Sequence, residues 1–132
     1  MSITKQAGIQ VGAFFIVGYP GENDETILDT VKLASSLPLD YLSFTLPYPI
    51  PGTPLYERVK DKIIIENWEE PKNPRLIKHK LLFNSSFSEA KLKFAILKAM
   101  VQFNLRKYLR TCGYQLIGKP FERLTDVIFK IL

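Results

Sequence analysis

Gly18-Tyr19-Pro20-Gly21-Glu22 stands directly after the most apolar run of the chain, residues 11–17. Glycine permits backbone conformations and close approaches that a side chain blocks, so such a loop can turn its N–H groups toward an anion or the polar edge of a ligand. It can equally be a tight turn between a strand and a helix packed close together. It is not a phosphate loop, since no Gly-Lys-Ser/Thr follows, and its Gly-x-x-Gly lacks the first glycine of the dinucleotide pattern. Other reactive groups are sparse. Glu22, Asp24 and Glu25 read as acids at a helix start, where the helix dipole favours them, rather than as a catalytic pair. The lone Cys112 excludes an internal disulfide and any all-cysteine metal or cluster site. It suits a reducing compartment and reads as a small buried apolar group. His79 and Trp68 read as packing or surface residues, because one histidine makes no metal site.

The elements that must position these groups follow from the pattern around them. Residues 8–17 are β-branched and aromatic without strict alternation, which predicts a strand apolar on both faces, as in a parallel sheet covered by helices. Asn23 or Asp24 caps a helix reaching about Leu37, with Ile27, Leu28, Val31 and Ala34/Ser35 at helical spacing. Pro38 stops it, and Asp40 leads into a second strand over residues 41–46. Strand, helix, strand is a βαβ unit, whose two strands are parallel and joined right-handedly. Two strands do not make a stable parallel sheet, so the chain reads as part of something larger.

After the second strand, PYPIPGTPLYE (residues 47–57) holds four prolines in eight residues, a stiff extended segment. Thr53 and Pro54 then suit the cap and first position of a short helix over residues 55–60. Ile63, Ile64 and Ile65 fit a strand or a helix end, residues 71–74 a loop, and residues 76–83 a weak strand. A long helix spans residues 88–111. Ser88 can cap it, with Phe87 and Leu92 as a hydrophobic staple, and Ser86 with Glu89 offers a competing capping box. Leu92, Ala95, Ala99 and Phe103 form its stripe, widened by Phe94, Leu97, Val101 and Leu105; Lys91, Lys98, Arg106, Lys107 and Arg110 fill much of the rest. Gly113 is a ready left-handed terminator. A last helix follows Pro120, with Leu124, Val127, Ile128 and Ile131 inward.

Length suits one core, and 46% hydrophobic with 23% charged residues is ordinary for a globular chain of 132 residues. The net charge of +5 is uneven: residues 1–57 carry two Lys/Arg against six Asp/Glu, and residues 58–132 sixteen against seven. This separates two differently built parts, 1–62 and 63–132. The basic part reads as a lysine-coated helical surface. No nucleic-acid signature accompanies it, and Phe94, Phe103, Tyr108 and Tyr114 read as core rather than stacking platforms. No stretch reaches the roughly 18 apolar residues of a membrane span. Lys5 and the following apolar run resemble a signal peptide, but Gln10 and Gly12 interrupt the run and it ends in Tyr-Pro-Gly-Glu, so a cytoplasmic chain is expected.

FFIVGYPGENDET followed by PYPIPGTPLYE resembles the second half of the radical S-adenosylmethionine enzymes. It looks most like the branch with an N-terminal cobalamin-binding domain, which includes the anaerobic magnesium-protoporphyrin ester cyclase. The resemblance covers roughly residues 8–60, and more loosely the helical tail. It implies an α/β fold: a partial (β/α) barrel fragment carrying the fifth and sixth strands, then a helical C-terminal extension. In that family three cysteines hold a 4Fe–4S cluster, which cleaves S-adenosylmethionine to a radical that abstracts a substrate hydrogen. By the same match Ile16 packs on the adenine, the Gly18-Tyr19-Pro20-Gly21 turn keeps the strand end open to the cofactor, and Thr45, Leu46 and Pro47 border the adenine. Tyr48 and Tyr56 either face substrate or line the barrel mouth.

The chain departs from the pattern in lacking CxxxCxxC, the first four strands and any cobalamin domain, and such clusters need several thiolates. The expectation is a C-terminal portion, inactive alone, binding neither S-adenosylmethionine, cluster nor cobalamin tightly. Its partner would be the N-terminal half-barrel or a separate subunit. The alternative is a noncatalytic interaction module whose sheet edge and apolar helix faces seek cover, and self-association is expected on that ground.

Overall fold

A computed structural model describes residues 2–64, 81–109 and 113–132. Ile65, Trp68, His79, Arg110, Cys112, the loop at 71–74 and most of the weak strand at 76–83 lie outside the described residues. A short helix, α1 (Ser2–Gln6), is followed by β1 (Gly12–Ile16), α2 (Asp24–Ser36) and β2 (Tyr41–Thr45). Next comes α3 (Pro54–Val59), which tightens into a 3-10 turn (Lys60–Lys62). The later elements among the described residues are helical: α4 (Glu89–Tyr108), a wider π-type turn (Tyr114–Gly118), and α5 (Lys119–Ile131). The architecture is mixed α/β, a βαβ unit with two parallel strands followed by a helical extension.

The strands pair in a register that sets Gly12 beside Tyr41, Phe14 beside Ser43 and Ile16 beside Thr45. β1 is shorter than the apolar run that contains it. Val11 is held instead by Asp40, whose carboxylate accepts the Val11 N–H at 2.7 Å while the Asp40 N–H donates to the Val11 carbonyl at 2.7 Å. Lys5 reaches the same carboxylate at 3.2 Å. The Val11 N–H bond and then Lys5 hold the Asp40 carboxyl below its ordinary pKa of 3.8. The two strand starts are thereby pinned side by side.

Of the two candidate caps for α2, Asn23 is the one used. Asn23 accepts the Thr26 N–H at 2.9 Å and Thr26 returns an acceptor to the Asn23 N–H at 2.9 Å, a reciprocal capping box. Ile27, Leu28, Val31, Ala34 and Ser35 are its buried stripe. Ala13, Phe15, Leu42 and Phe44 form the sheet face that joins this core, with Phe15 and Phe44 stacked at 5.5 Å. Among the described residues no helix covers the other face: Phe14 is 74% exposed, Ile16 53% and Tyr41 51%. Among the described residues the expected cover on both faces is thus present on one only, because a single crossover lays its helix on one side of the sheet.

α4 lies along α2, burying Leu92, Ala95, Ala99 and Phe103. Ser88 is its cap, accepting the Lys91 N–H at 3.1 Å, while Glu89 turns its carboxylate to the Leu81 N–H. Leu97, expected to widen the buried stripe, is exposed, and so is Tyr108. Lys98, expected at the surface, is buried with its Nζ 2.7 Å from Asp126 Oδ1 of α5. Gly113 does not end a helix: its φ of −63° is helical, and α4 ends at an extended Leu109.

α5 corrects a further expectation. Leu124, Val127, Ile128 and Ile131 face outward, and Thr125 and Phe129 are the buried positions. The helix meets α4 through its acids, because α4 presents Lys98 to Asp126 and Arg106 to Glu122. Phe129 nonetheless belongs to the same apolar cluster as Val17, so the extension and the βαβ unit share a core. Beyond α3, Ile63 forms an antiparallel bridge with Phe83, flanked by Ile64 N–H to Leu82 O at 2.9 Å and Asn84 N–H to Lys62 O at 2.8 Å. Among the described residues no helix is long and apolar enough to cross a membrane.

Candidate functional site at the carboxyl end of the sheet

Parallel pairing puts the carboxyl ends of β1 and β2 at the same edge, so the Gly-Tyr-Pro-Gly loop and the proline loop leave one rim. The Val17 N–H extends the ladder to Thr45 O at 3.2 Å. Ile16 and Thr45 are register partners on the uncovered face, the last strand positions before the two loops. Val17 and Leu46, one residue on, are buried. Pro47 is also buried, whereas Tyr19 is exposed and Pro20 half-buried. Binding sites of open α/β sheets form at this carboxyl edge.

The glycines of the first loop have separate reasons. Gly18 has φ of +88° and Gly21 of +101°, the left-handed region that favours glycine. A Cβ on Gly18 would also stand 2.6 Å from Cδ1 of Leu92, so α4 closes directly on the strand end. Two of the loop's N–H groups, those of Gly18 and Tyr19, are occupied. Glu22 folds back so that its Oε2 accepts from Gly18 N–H at 2.6 Å and Tyr19 N–H at 2.9 Å. Glu22 is therefore more than a helix-start acid: it is the anion this loop holds. Sequence reasoning missed it, although a carboxylate four residues after the first glycine is the one signal that points to the contact.

The second loop is stiffened by its own chemistry. Pro49 is fully buried, and Pro51-Gly52, with Gly52 at φ of +82°, makes the turn into α3. Thr53 caps α3, accepting the Tyr56 N–H at 3.3 Å while donating to Ile50 O at 2.6 Å. Tyr48 and Tyr56 are partly exposed beside it. Among the described residues no group of His, Cys, Asp or Glu side chains is placed to hold a metal ion.

The rim offers an apolar wall and backbone edges, not an acid–base pair. No family model matches the chain. It is 35% identical over 68 residues, 50% of its length, to an uncharacterized methyltransferase of Pyrococcus horikoshii. It is 46% identical over 48 residues, 36% of its length, to a tRNA-2-methylthio-N(6)-dimethylallyladenosine synthase of Shewanella baltica. The enzyme of that name from Vibrio campbellii is 41% identical over 66 residues, 44% of this chain. The chain spans 15%, 10% and 14% of the lengths of these three relatives. The partial likenesses support a relationship to radical S-adenosylmethionine enzymes, and none of the three names points to a cyclase.

Proposed function

We propose that the chain is the carboxyl-terminal wall of a radical S-adenosylmethionine barrel. Residues 1–62 supply the last barrel strands, and residues 63–132 a helical extension that backs them. One observation carries this reading: Ile16 and Thr45 stand side by side on the uncovered face, at the rim from which both motif loops leave. In a (β/α) barrel helices cover the outside of the sheet and the inner face is filled by the remaining strands, so a sheet covered on one side only is what a barrel segment looks like.

The residues present fit one edge of the cofactor and not its cluster. Ile16 offers an apolar surface for the adenine, Thr45, Leu46 and Pro47 a backbone edge, and Gly18, Tyr19, Pro20 and Gly21 the turn that keeps the strand end clear. Glu22 satisfies the Gly18 and Tyr19 N–H groups, so those two donors are already taken by the chain's own carboxylate. A single cysteine cannot hold a 4Fe–4S cluster, and no reaction step is assigned to this chain alone. When bound, S-adenosylmethionine with its cluster would supply radical chemistry; this chain's part is to bind and orient the adenine. The paired motifs, ending in Pro-Gly-Thr-Pro-Leu-Tyr-Glu, are our reason to place it in the cobalamin-domain branch that includes the magnesium-protoporphyrin ester cyclase.

Calorimetry on the isolated chain is expected to show weak or no binding of S-adenosylmethionine, and an upstream or adjacent reading frame to encode three closely spaced cysteines. Tight binding with turnover by this chain alone, or no such cysteines, would overturn the reading. The second reading, a noncatalytic oligomerisation module, is favoured by the exposed Phe14, Ile16 and Tyr41 on the uncovered sheet face. It predicts that Phe14→Lys turns a concentration-dependent oligomer into a monomer in sedimentation.

A further inference from the structure

On α5 Thr125 and Phe129 face the body of the protein, while Leu124, Val127, Ile128 and Ile131 lie about 120° round the helix and are exposed. Ile117, in the π-type turn just before the helix, is exposed too. The charges of the segment are sorted as sharply as its apolar groups. Both of its acids are turned inward: Glu122 accepts from Arg106 at 2.5 Å and from the Tyr114 hydroxyl, and Asp126 meets the buried Lys98 at 2.7 Å. Its three cations, Lys119, Arg123 and Lys130, are exposed and in no ion pair among the described residues. On a 3.6-residue helix these three share one flank of the apolar stripe.

We propose that this outward face of α5 docks on an anionic bilayer surface, lying in the interface with its stripe among the acyl-chain boundary and its cations at the headgroups. A polar-faced amphipathic helix with basic residues bordering the apolar side is the type that binds this way. Charge disfavours a second copy of this chain as the occupant of the stripe. A second copy packed on the same face would bring Lys119, Arg123 and Lys130 of two chains together, with no acid of α5 left outward to pair with them. The inference is independent of the cofactor-side reading, since it uses the opposite part of the chain.

Cosedimentation of the 132-residue chain with vesicles tests it, using phosphatidylcholine alone and phosphatidylcholine mixed with phosphatidylglycerol. Binding is expected on the anionic vesicles and not on the zwitterionic ones. Replacing all three cations by glutamine is expected to weaken it by about a hundredfold, since each is worth roughly fivefold near an anionic surface. Leu124→Glu with Ile128→Glu is expected to abolish it, with unchanged circular dichroism because both positions are already exposed. No binding to anionic vesicles, equal binding to both kinds, or binding that survives the glutamine replacements would overturn the proposal. So would a dimer without vesicles that Ile128→Glu dissociates, which makes the second copy the occupant.

Discussion

At Gly18 a left-handed backbone and the side chain of Leu92 meet at one α-carbon. Gly18→Ala is expected to cost about 1–3 kcal/mol, from strained backbone and a displaced leucine together. Urea denaturation reads this directly; an unchanged midpoint would mean the loop and α4 yield freely. Four residues on, Glu22→Ala leaves two N–H groups without their acceptor. Because they are only partly buried, about 1 kcal/mol is the expected loss. Asp40 gives a pH dependence with a definite sign. Its carboxyl is held below 3.8 in the fold, so the stability it contributes is fully present above that pH and lost as pH falls through the lower folded value. The gap in melting temperature between the natural chain and Asp40→Asn should therefore close on acidification, and a gap that stays constant would show that the ionised carboxylate is not what pins the strand starts.

At the scale of elements, the contact between α4 and α5 contains the least comfortable groups of the fold. Gln102 is fully buried and neither amide atom has a hydrogen-bond partner among the described residues. Gln102→Met is expected to raise stability by about 1–2 kcal/mol, because it removes an unmet polar group at similar volume. Lys98→Met alone leaves Asp126 unpaired at the helix contact and is expected to cost about 3 kcal/mol; adding Asp126→Leu should recover most of that. If the double variant stays as unstable as the single one, the pair is fixing the helix position rather than merely compensating itself. These elements also show what sequence could tell. The start of α2 was legible because a capping box is a contact among Asn23, Thr26 and the backbone between them. α3 was legible for the same local reason, through Thr53 and Pro54. The orientation of α5 was not. Its apolar stripe announces an amphipathic helix, but the side turned to α4 was chosen by Lys98 and Arg106, which lie 28 and 16 residues before their partners.

For the whole molecule, the division of charge seen in the sequence does not divide the packing, since Val17 and Phe129 sit in one core. What sequence by itself determined was the βαβ unit and the order of the two loops. Parallel strands joined through one helix follow from apolar runs, caps and prolines, all of which act within a few residues. The candidate rim follows in turn, because parallel strands end on the same side. Only the tertiary structure decided which sheet face stays uncovered, which partner Glu22 takes, and which side of α5 meets solvent. Those outcomes depend on the meeting of surfaces far apart in the chain, where several apolar faces compete for one core and a buried charge such as Lys98 must find its counter-charge wherever the fold brings one.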